Sequence, residues 1–558
     1  MSMSPVFALV VALVALSAWS SWDARRKLLA RLRREWGQPR SERADLENIA
    51  DFFRSHPRDG ALDDRTWADL LLDEVFACLD RTESSVGQQI LYSRLRGACR
   101  PGTLAAFDAL AVRFGDDAGV RERAQLRLAQ LRHSSGYYLH RLVNPDTLTR
   151  PWWYGVFPVW TAAIVTALAL GFIWHGLFLF VIAGAIVNAV IRVVTSRRVG
   201  GEAVWFRMVG PLMASARALA DLCDEPLASA ITGTMNTDLA ALRRLGAVAR
   251  WVSRGSDSGA PTDLIGAIVE YINIQLLMDL NALYFASREL QSRGPHLLRL
   301  IEAVGEIDAA SAVASFREST VDWVRPRFRE AHAPSLLTDL RHPLVDDAVP
   351  NSIELAPPRG VLITGSNMSG KSTFLRTVGV NAVLAQTIDT CLARSYEAPH
   401  YRVRSCIGRS DDLVAGKSYY LVEVESVLAL VEASESVEPT LFIFDELFRG
   451  TNAVERIAAG EAVLRTLLQQ QRPHVVLAAT HDGELVELLH DTYVVFHLGD
   501  AIGPGGLSFD YHLTPGPATS RNAIALLKLS GAPGSLVERA LSRAAELDQR
   551  RARLAAPP

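Results

Sequence analysis

Residues 365–372 read Gly365, Ser366, Asn367, Met368, Ser369, Gly370, Lys371 and Ser372, the pattern G-x-x-x-x-G-K-[ST]. The apolar run Gly360-Val-Leu-Ile-Thr364 precedes it, and a helical pattern from Thr373 to Gln386 follows. A loop of this kind needs a strand to launch it and a helix to receive it, and both are in place. Its glycines leave backbone N–H groups free to wrap phosphate oxygens, and the helix N-terminus adds partial positive charge. Lys371 is positioned to reach the β- and γ-phosphates of a nucleotide, and Ser372 to ligate Mg²⁺. Gly365 to Thr373 is therefore the candidate ATP-binding segment.

A second apolar run, Leu441-Phe-Ile-Phe444, ends in two carboxylates, Asp445 and Glu446. Beside a phosphate loop, Asp445 is the candidate Mg²⁺ holder, directly or through water. Glu446 is the candidate base that orients and deprotonates the attacking water. A third run, Val475 to Ala479, is followed by Thr480 and His481; a histidine there can sense the γ-phosphate. The three runs are short, bounded by polar turns and separated by helical patterns, so they read as buried parallel strands. The expected chemistry is in-line attack of water on the γ-phosphate. Lys371, Glu446 and His481 form the catalytic set, with ATP and Mg²⁺ as cofactors.

The chain has 558 residues, enough for two to four domains. Its formal net charge of −3 lacks the global basic signature of a nucleic-acid binder, while leaving local basic patches open. Cys78, Cys99, Cys223, Cys391 and Cys406 are scattered and form no C-x-x-C pair. That argues against a disulfide framework or a zinc site and fits a reducing compartment.

Two stretches suggest a membrane. Pro5 to Trp22 is apolar apart from a few serines, and Pro151 to Ile191 carries no formal charge. A single span needs roughly twenty apolar residues. The second stretch therefore reads as two spans, Trp152–Ile173 and Leu177–Val194, joined by Trp174-His175-Gly176; the alternative is a buried helical pair. Trp152, Trp153, Tyr154 and Trp174 sit where interfacial aromatic belts are found. Arg25, Arg26, Lys27, Arg31, Arg33 and Arg34 follow the first stretch, and nothing basic precedes it. This order is reversed for a cleaved signal peptide. Arg141 and Arg150 precede the hairpin, and Arg192, Arg197 and Arg198 close it. The positive-inside rule then predicts three transmembrane helices in the cell inner membrane, the N-terminus outside and the nucleotide domain cytoplasmic.

The expected organisation is a mixed fold, a membrane-anchored α-helical lever domain plus an α/β P-loop NTPase domain. It comprises an anchor at 1–24, a juxtamembrane linker at 25–60, and a helical domain in two parts at 61–148 and 197–335. A transmembrane hairpin at 149–196 interrupts that domain. The nucleotide domain covers 336–545 and a disordered tail 546–558. Helical spacing of apolar residues supports the lever parts, with a Ser/Gly/Asp/Pro-rich break at Ser253–Pro261.

Several ordered motifs resemble the MutS family. Gly365 to Thr373 is close to that family's G-P-N-M-G-G-K-S-T. Arg341-His-Pro-Leu-Val345 and Val349-Pro-Asn-Ser-Ile353 resemble the lead-in to its ATPase domain. Asp411-Asp-Leu-Val-Ala-Gly-Lys-Ser418, with Tyr420 and Glu423, resembles D-D-L-x-x-G-x-S-x-F-x-x-E. Asp445-Glu-Leu-Phe-Arg449-Gly450-Thr451 resembles D-E-I-G-R-G-T, and Pro515-Gly-Pro-Ala518 its C-terminal part. More weakly, Asp73 to Thr82, Gly87, Leu91, Leu95 and Arg96 resemble the opening of the lever domain.

The resemblance implies an ABC-like ATPase acting as a homodimer with composite sites. Ser418 would reach the γ-phosphate held by the other subunit, and Arg449, Gly450 and Thr451 would lie at the dimer interface. DNA is implied as a partner by the resemblance alone, and the mismatch-reading domain is not expected before residue 61. Phe316-Arg-Glu318 and Phe328-Arg-Glu330 have the spacing of its Phe-x-Glu pair but read as core phenylalanines beside surface charges. The alternative function is a DNA-independent mechanical ATPase working on a membrane or protein partner.

Overall fold

Helices carry the described residues up to about 320, as the apolar spacing requires. They are α1 (Pro5–Glu35), α2 (Leu46–Ser55), α3 (Asp64–Asp69), α4 (Leu72–Leu79), α5 (Ser85–Leu95), α6 (Pro101–Asp116), α7 (Ala118–Leu128), α8 (Val156–Gly171), α9 (Leu177–Arg207), α10 (Val209–Leu222), α11 (Ser229–Thr232), α12 (Met235–Ala241), α13 (Arg243–Ser253) and α14 (Met278–Ser319). This computed structural model describes residues 5–40, 45–97, 99, 101–144, 155–223, 226–253, 271–272, 274–366, 368–407, 419–469, 472–503, 506–518, 524, 527–528 and 530–555. The break expected at Ser253–Pro261 lies, after its first residue, outside the described residues, as do Trp152, Trp153 and Tyr154.

The chain divides into two compact units. One comprises Met1–Arg58, Phe76–Leu95 and Cys99–Val321; the other Asp59–Val75, Arg96–Ala98 and Asp322–Pro558. The long helix α14 is the spine of the first, burying Leu297, Leu300, Val304 and Ile307. Fully buried Arg94 on α5 pairs with Glu306 on α14 at 2.5 Å and lies 3.7 Å over the Phe107 ring. Asp308 accepts from the backbone N–H groups of Glu83 and Ser84 at 2.9 and 2.8 Å. Burial pushes the Asp308 carboxyl up to about 7. Gly87 leaves room for it, since a Cβ there would stand 2.1 Å from Asp308 Oδ2.

Residues 25–60, expected as a juxtamembrane linker with some helix, contain packed helix on both sides of residues 41–44. α1 runs unbroken through residues 24 and 25, Leu32 is buried, and Arg31 pairs with Glu83 at 2.8 Å. In α2, Ile49, Ala50 and Phe52 are buried. None of the three expected membrane spans is shown: among the described residues no helix is long and apolar enough to cross a membrane. α8 has 16 residues, about 24 Å of helix against a hydrocarbon core of about 30 Å. In α9 the apolar run is interrupted by Asn188 and ends at Arg192. The side chains of Pro5 to Val14 in α1 lie outside the described residues.

The second unit adds β1 (Arg327–Phe328), β2 (Ser335–Leu340), β3 (Asn351–Leu355), β4 (Gly360–Thr364), α15 (Lys371–Ile388), β5 (Ser395–Ala398), β6 (Arg402–Cys406), α16 (Tyr419–Ala433), β7 (Thr440–Asp445), α17 (Ala453–Leu468), β8 (Val475–Ala479), α18 (Gly483–Leu489), β9 (Tyr493–Gly503), β10 (Gly506–Pro515) and α19 (Gly534–Ala555). A six-stranded sheet has the order β10-β9-β4-β8-β7-β6, parallel except for the β9–β10 hairpin. β4, β7 and β8 are the three apolar runs read from the sequence, with β4 and β8 buried throughout and β7 up to Asp445. A smaller sheet, β1-β5-β2-β3, flanks it within the unit. Helix α19 runs to Ala555 through residues whose composition suggested a disordered tail.

The segment holding α3 lies far upstream in sequence, yet it is part of the second unit. Asp69 Oδ2 accepts from Ser405 Oγ at 2.9 Å and Ile407 N at 2.8 Å, at the end of β6. Arg376 of α15 donates to the Asp69 carbonyl at 2.7 Å. Leu70 packs on Gly379, where a Cβ would come within 2.7 Å of it.

Candidate active site

Parallel register decides where the chemistry collects. β8 lies between β4 and β7, aligning Ala479 with both Ile363 and Asp445. The loop after β4, the carboxylates after β7 and His481 after β8 therefore leave the sheet at one edge. Open α/β sheets bind ligands at that carboxyl edge.

The loop conformation explains its glycines. Gly365 has φ +142°, and a Cβ there would meet Ser369 Oγ at 2.7 Å. Gly370 has φ +95° and precedes the first turn of α15, under the Tyr511 ring. Both are backbone states that L side chains rarely adopt. Ser369 closes the loop by donating to the Ser366 carbonyl at 2.9 Å. Met368 projects into solvent, Thr373 is exposed, and Asn367 lies outside the described residues.

Lys371 is buried and turned back on the loop, its Nζ donating to the carbonyls of Gly365 and Ser366 at 2.8 and 2.7 Å. Ser372 Oγ donates to Asp445 Oδ2 at 2.5 Å. Asp445 Oδ1 is buried with no hydrogen-bond partner. A hydroxyl and an adjacent unused carboxylate oxygen make a hard-oxygen donor set. Mg²⁺ is commonly held by one or two such groups plus substrate phosphates. Among the described residues no cluster of three or more His, Cys, Asp or Glu could hold a metal alone, so nucleotide oxygens would have to complete the shell.

Glu446 is buried, with φ +56°. Its N–H bonds to the Ala479 carbonyl at 3.0 Å, fixing the strained turn to β8. Three basic groups surround its carboxylate: Lys371 Nζ at 3.8 Å, His481 Nδ1 at 3.2 Å and the ion-paired Arg449 guanidinium. Phe448, at φ +59°, is pinned by its N–H to buried Glu423 at 2.6 Å. Gly450 packs under Tyr420, and Thr451 donates to Glu455 at 2.7 Å. Ser418, with Asp411 to Lys417, lies outside the described residues. Thus Gly365, Ser366, Ser369, Gly370, Lys371, Ser372, Asp445, Glu446, Arg449 and His481 converge.

Sequence reasoning missed two neighbours. Tyr511 of β10 covers Gly370, and its carbonyl accepts from Asn351 at 2.9 Å. Asp69 anchors the chain where it leaves β6 for residues 408–418. Neither belongs to a motif; hairpin register and a distant helix bring them in.

Fold and site together define a class: an α/β domain with a strand–glycine loop–helix unit beside paired carboxylates, joined to a helical unit. The family description MutS domain V matches residues 361–548. A DNA mismatch repair protein MutS of Thermus thermophilus is 34% identical over 273 residues, 48% of this chain and 33% of that protein. The protein of the same name from Thermus aquaticus is 35% identical over 258 residues, 45% of this chain and 31% of that one. Over these residues the chain is similar to the MutS family. It spans about a third of the length of these curated relatives.

Proposed function

We propose that the second unit is a P-loop ATPase domain that hydrolyses ATP with Mg²⁺ and works in a homodimer. The observation that carries this reading is the convergence of Ser372, Asp445, Lys371 and Glu446 on one edge of the sheet. The loop amides and the α15 N-terminus would cradle phosphate oxygens. Lys371 would leave the two loop carbonyls it now contacts and turn to the β- and γ-phosphates. Ser372 and Asp445 would hold Mg²⁺, which supplies charge neutralisation on the phosphates. Glu446 would take the proton of the attacking water, and His481, whose Nδ1 lies 3.2 Å from Glu446 Oε2, would report the γ-phosphate. Arg449 is paired with Glu446, so it would have to shift to free that carboxylate. Ser418, Arg449, Gly450 and Thr451 are the residues we assign to the second subunit's site.

The matched relatives carry the name DNA mismatch repair protein. By that likeness we infer that the protein couples ATP turnover to DNA. The test is ATPase rate with and without several DNA structures, for wild type and Glu446→Gln. DNA stimulation that weakens steeply with salt supports a DNA-linked motor. A rate indifferent to every DNA structure sinks that inference and leaves a mechanical ATPase with another partner. An unchanged rate in Glu446→Gln removes Glu446 from its role.

A further inference from the structure

We propose that the helical hairpin α8–α9 is a lipid-inserting element that enters a bilayer from one face and returns to the same side. Its polarity is the inverse of a water-soluble hairpin. Val159, Phe172, Ile173, Trp174, Ile182 and Ile186 are exposed, Phe172 to 75% and Ile186 to 64%. No formal charge occurs between Pro151 and Ile191. Trp160, Thr161 and Asn188 are at least half-buried and hydrogen-bonded, and exposed Thr166 bonds back to its own helix. Trp160 Nε1 donates to Asn188 Oδ1 at 2.7 Å, and buried Asn188 donates to the Gln275 carbonyl at 2.5 Å. Thr161 donates to the Leu276 carbonyl at 3.0 Å and Thr166 to the Ala162 carbonyl at 2.8 Å.

At the tip the exposed polar side chain is His175, and much of the backbone is bonded within the turn. The N–H groups of Ile173 and Trp174 bond to the Leu170 carbonyl at 2.9 and 2.8 Å, and those of Leu177, Phe178 and Leu179 to the carbonyls of residues 174, 175 and 176. A turn set in hydrocarbon must satisfy its own backbone, because no water is there to do so.

The occupant follows from how the arms are buried. The arms meet along a seam where Gly184 admits Ile164: a Cβ at 184 would lie 3.1 Å from Ile164 Cδ1. Small residues at such a seam are the usual solution for helices packed in lipid. Outside the seam, apolar side chains face outward on both arms and at the tip. A second copy would cover one side of such a hairpin, whereas lipid covers every exposed side beyond the part where Thr161 and Asn188 meet Leu276 and Gln275. The α8 arm, about 24 Å of helix, is too short for an independent crossing but long enough to enter a bilayer and turn within it.

The test uses the full chain with an environment-sensitive fluorophore on Ile173→Cys in a Cys78→Ser background, and on Val437→Cys as control. Vesicles contain phosphatidylcholine with about one third anionic phosphatidylglycerol. The expected result is a blue shift at 173, quenching there by spin labels on lipid chains, persistence at about 1 M salt, and no change at 437. In Phe172→Glu/Ile182→Glu, lipid quenching at 173 should fall about tenfold or more. Equal responses at 173 and 437 overturn the proposal. So does shielding at 173 that rises with protein concentration and ignores vesicles, which would assign the face to a second copy. The label reads the hairpin itself, so binding through the apolar start of α1 cannot mimic it, and ATP turnover does not enter the measurement.

Discussion

The Ser372 hydroxyl donates to Asp445 Oδ2 at 2.5 Å, tying the first turn of α15 to the end of β7 across 73 residues of sequence. This contact leaves Asp445 Oδ1 buried and without a hydrogen-bond partner. If the pair is the Mg²⁺ seat, Asp445→Asn should weaken nucleotide binding about tenfold or more in magnesium and change little in EDTA. Titration with a fluorescent ATP analogue in both buffers measures it. Equal loss in the two buffers would count against the metal role.

Glu446 sits in a left-handed turn among Lys371, Arg449 and His481. Glu446→Gln should lower kcat by about 10²–10⁴-fold while ATP still binds, because a base is removed and the cradle is kept. Single-turnover hydrolysis beside equilibrium binding separates the two effects. Loss of binding with no specific loss of turnover would contradict the assignment.

Gly365→Ala puts a methyl 2.7 Å from Ser369 Oγ, at φ +142°. Deformation of the loop should abolish measurable nucleotide binding while far-UV circular dichroism stays near wild type. A variant that binds ATP normally would show that the loop tolerates a side chain there.

Asp69→Ala strands the Ser405 hydroxyl and the Ile407 N–H, both buried. Each lost acceptor costs about 1–3 kcal/mol, so roughly 2–4 kcal/mol of stability should go from the second unit. Urea unfolding followed by a tryptophan probe in that unit, Trp67, tests it. A midpoint unchanged from wild type would mean that the Asp69 carboxylate adds nothing measurable to the anchoring of α3.

Burial, with Arg376 nearby, lowers the His342 imidazole from 6.5 to about 4. The folded state thus resists a proton that the unfolded chain accepts. His342 contributes stability that is fully present above about pH 6.5 and lost as pH falls toward 4. His342→Gln should flatten that part of the melting-temperature profile. The same slope in the variant would assign the acid sensitivity elsewhere.

The site was largely legible in the sequence because its chemistry is local. A strand, a glycine loop and a helix lie side by side in residues 360–388, and β7 announces itself as an apolar run closed by Asp445 and Glu446. Membrane spans were less legible, because hydropathy counts apolar residues and not where helices begin and end. α8 stops at Gly171 and α9 runs past its apolar part to Arg207. The helical pattern of residues 61–148 likewise gave no sign that its first turns belong elsewhere.

By itself, then, the residue order determined the strands, the loop and the carboxylates that follow β7, since each depends on neighbours a few positions away. The tertiary structure alone decided that β8 lies between β4 and β7, which brings His481 to Glu446. It alone put Asp69 against Ile407 and Arg449 against Glu446. The physical reason is that such contacts depend on burial and hydrogen bonding between distant segments. These are fixed when the whole unit packs, and no local pattern of residues encodes them.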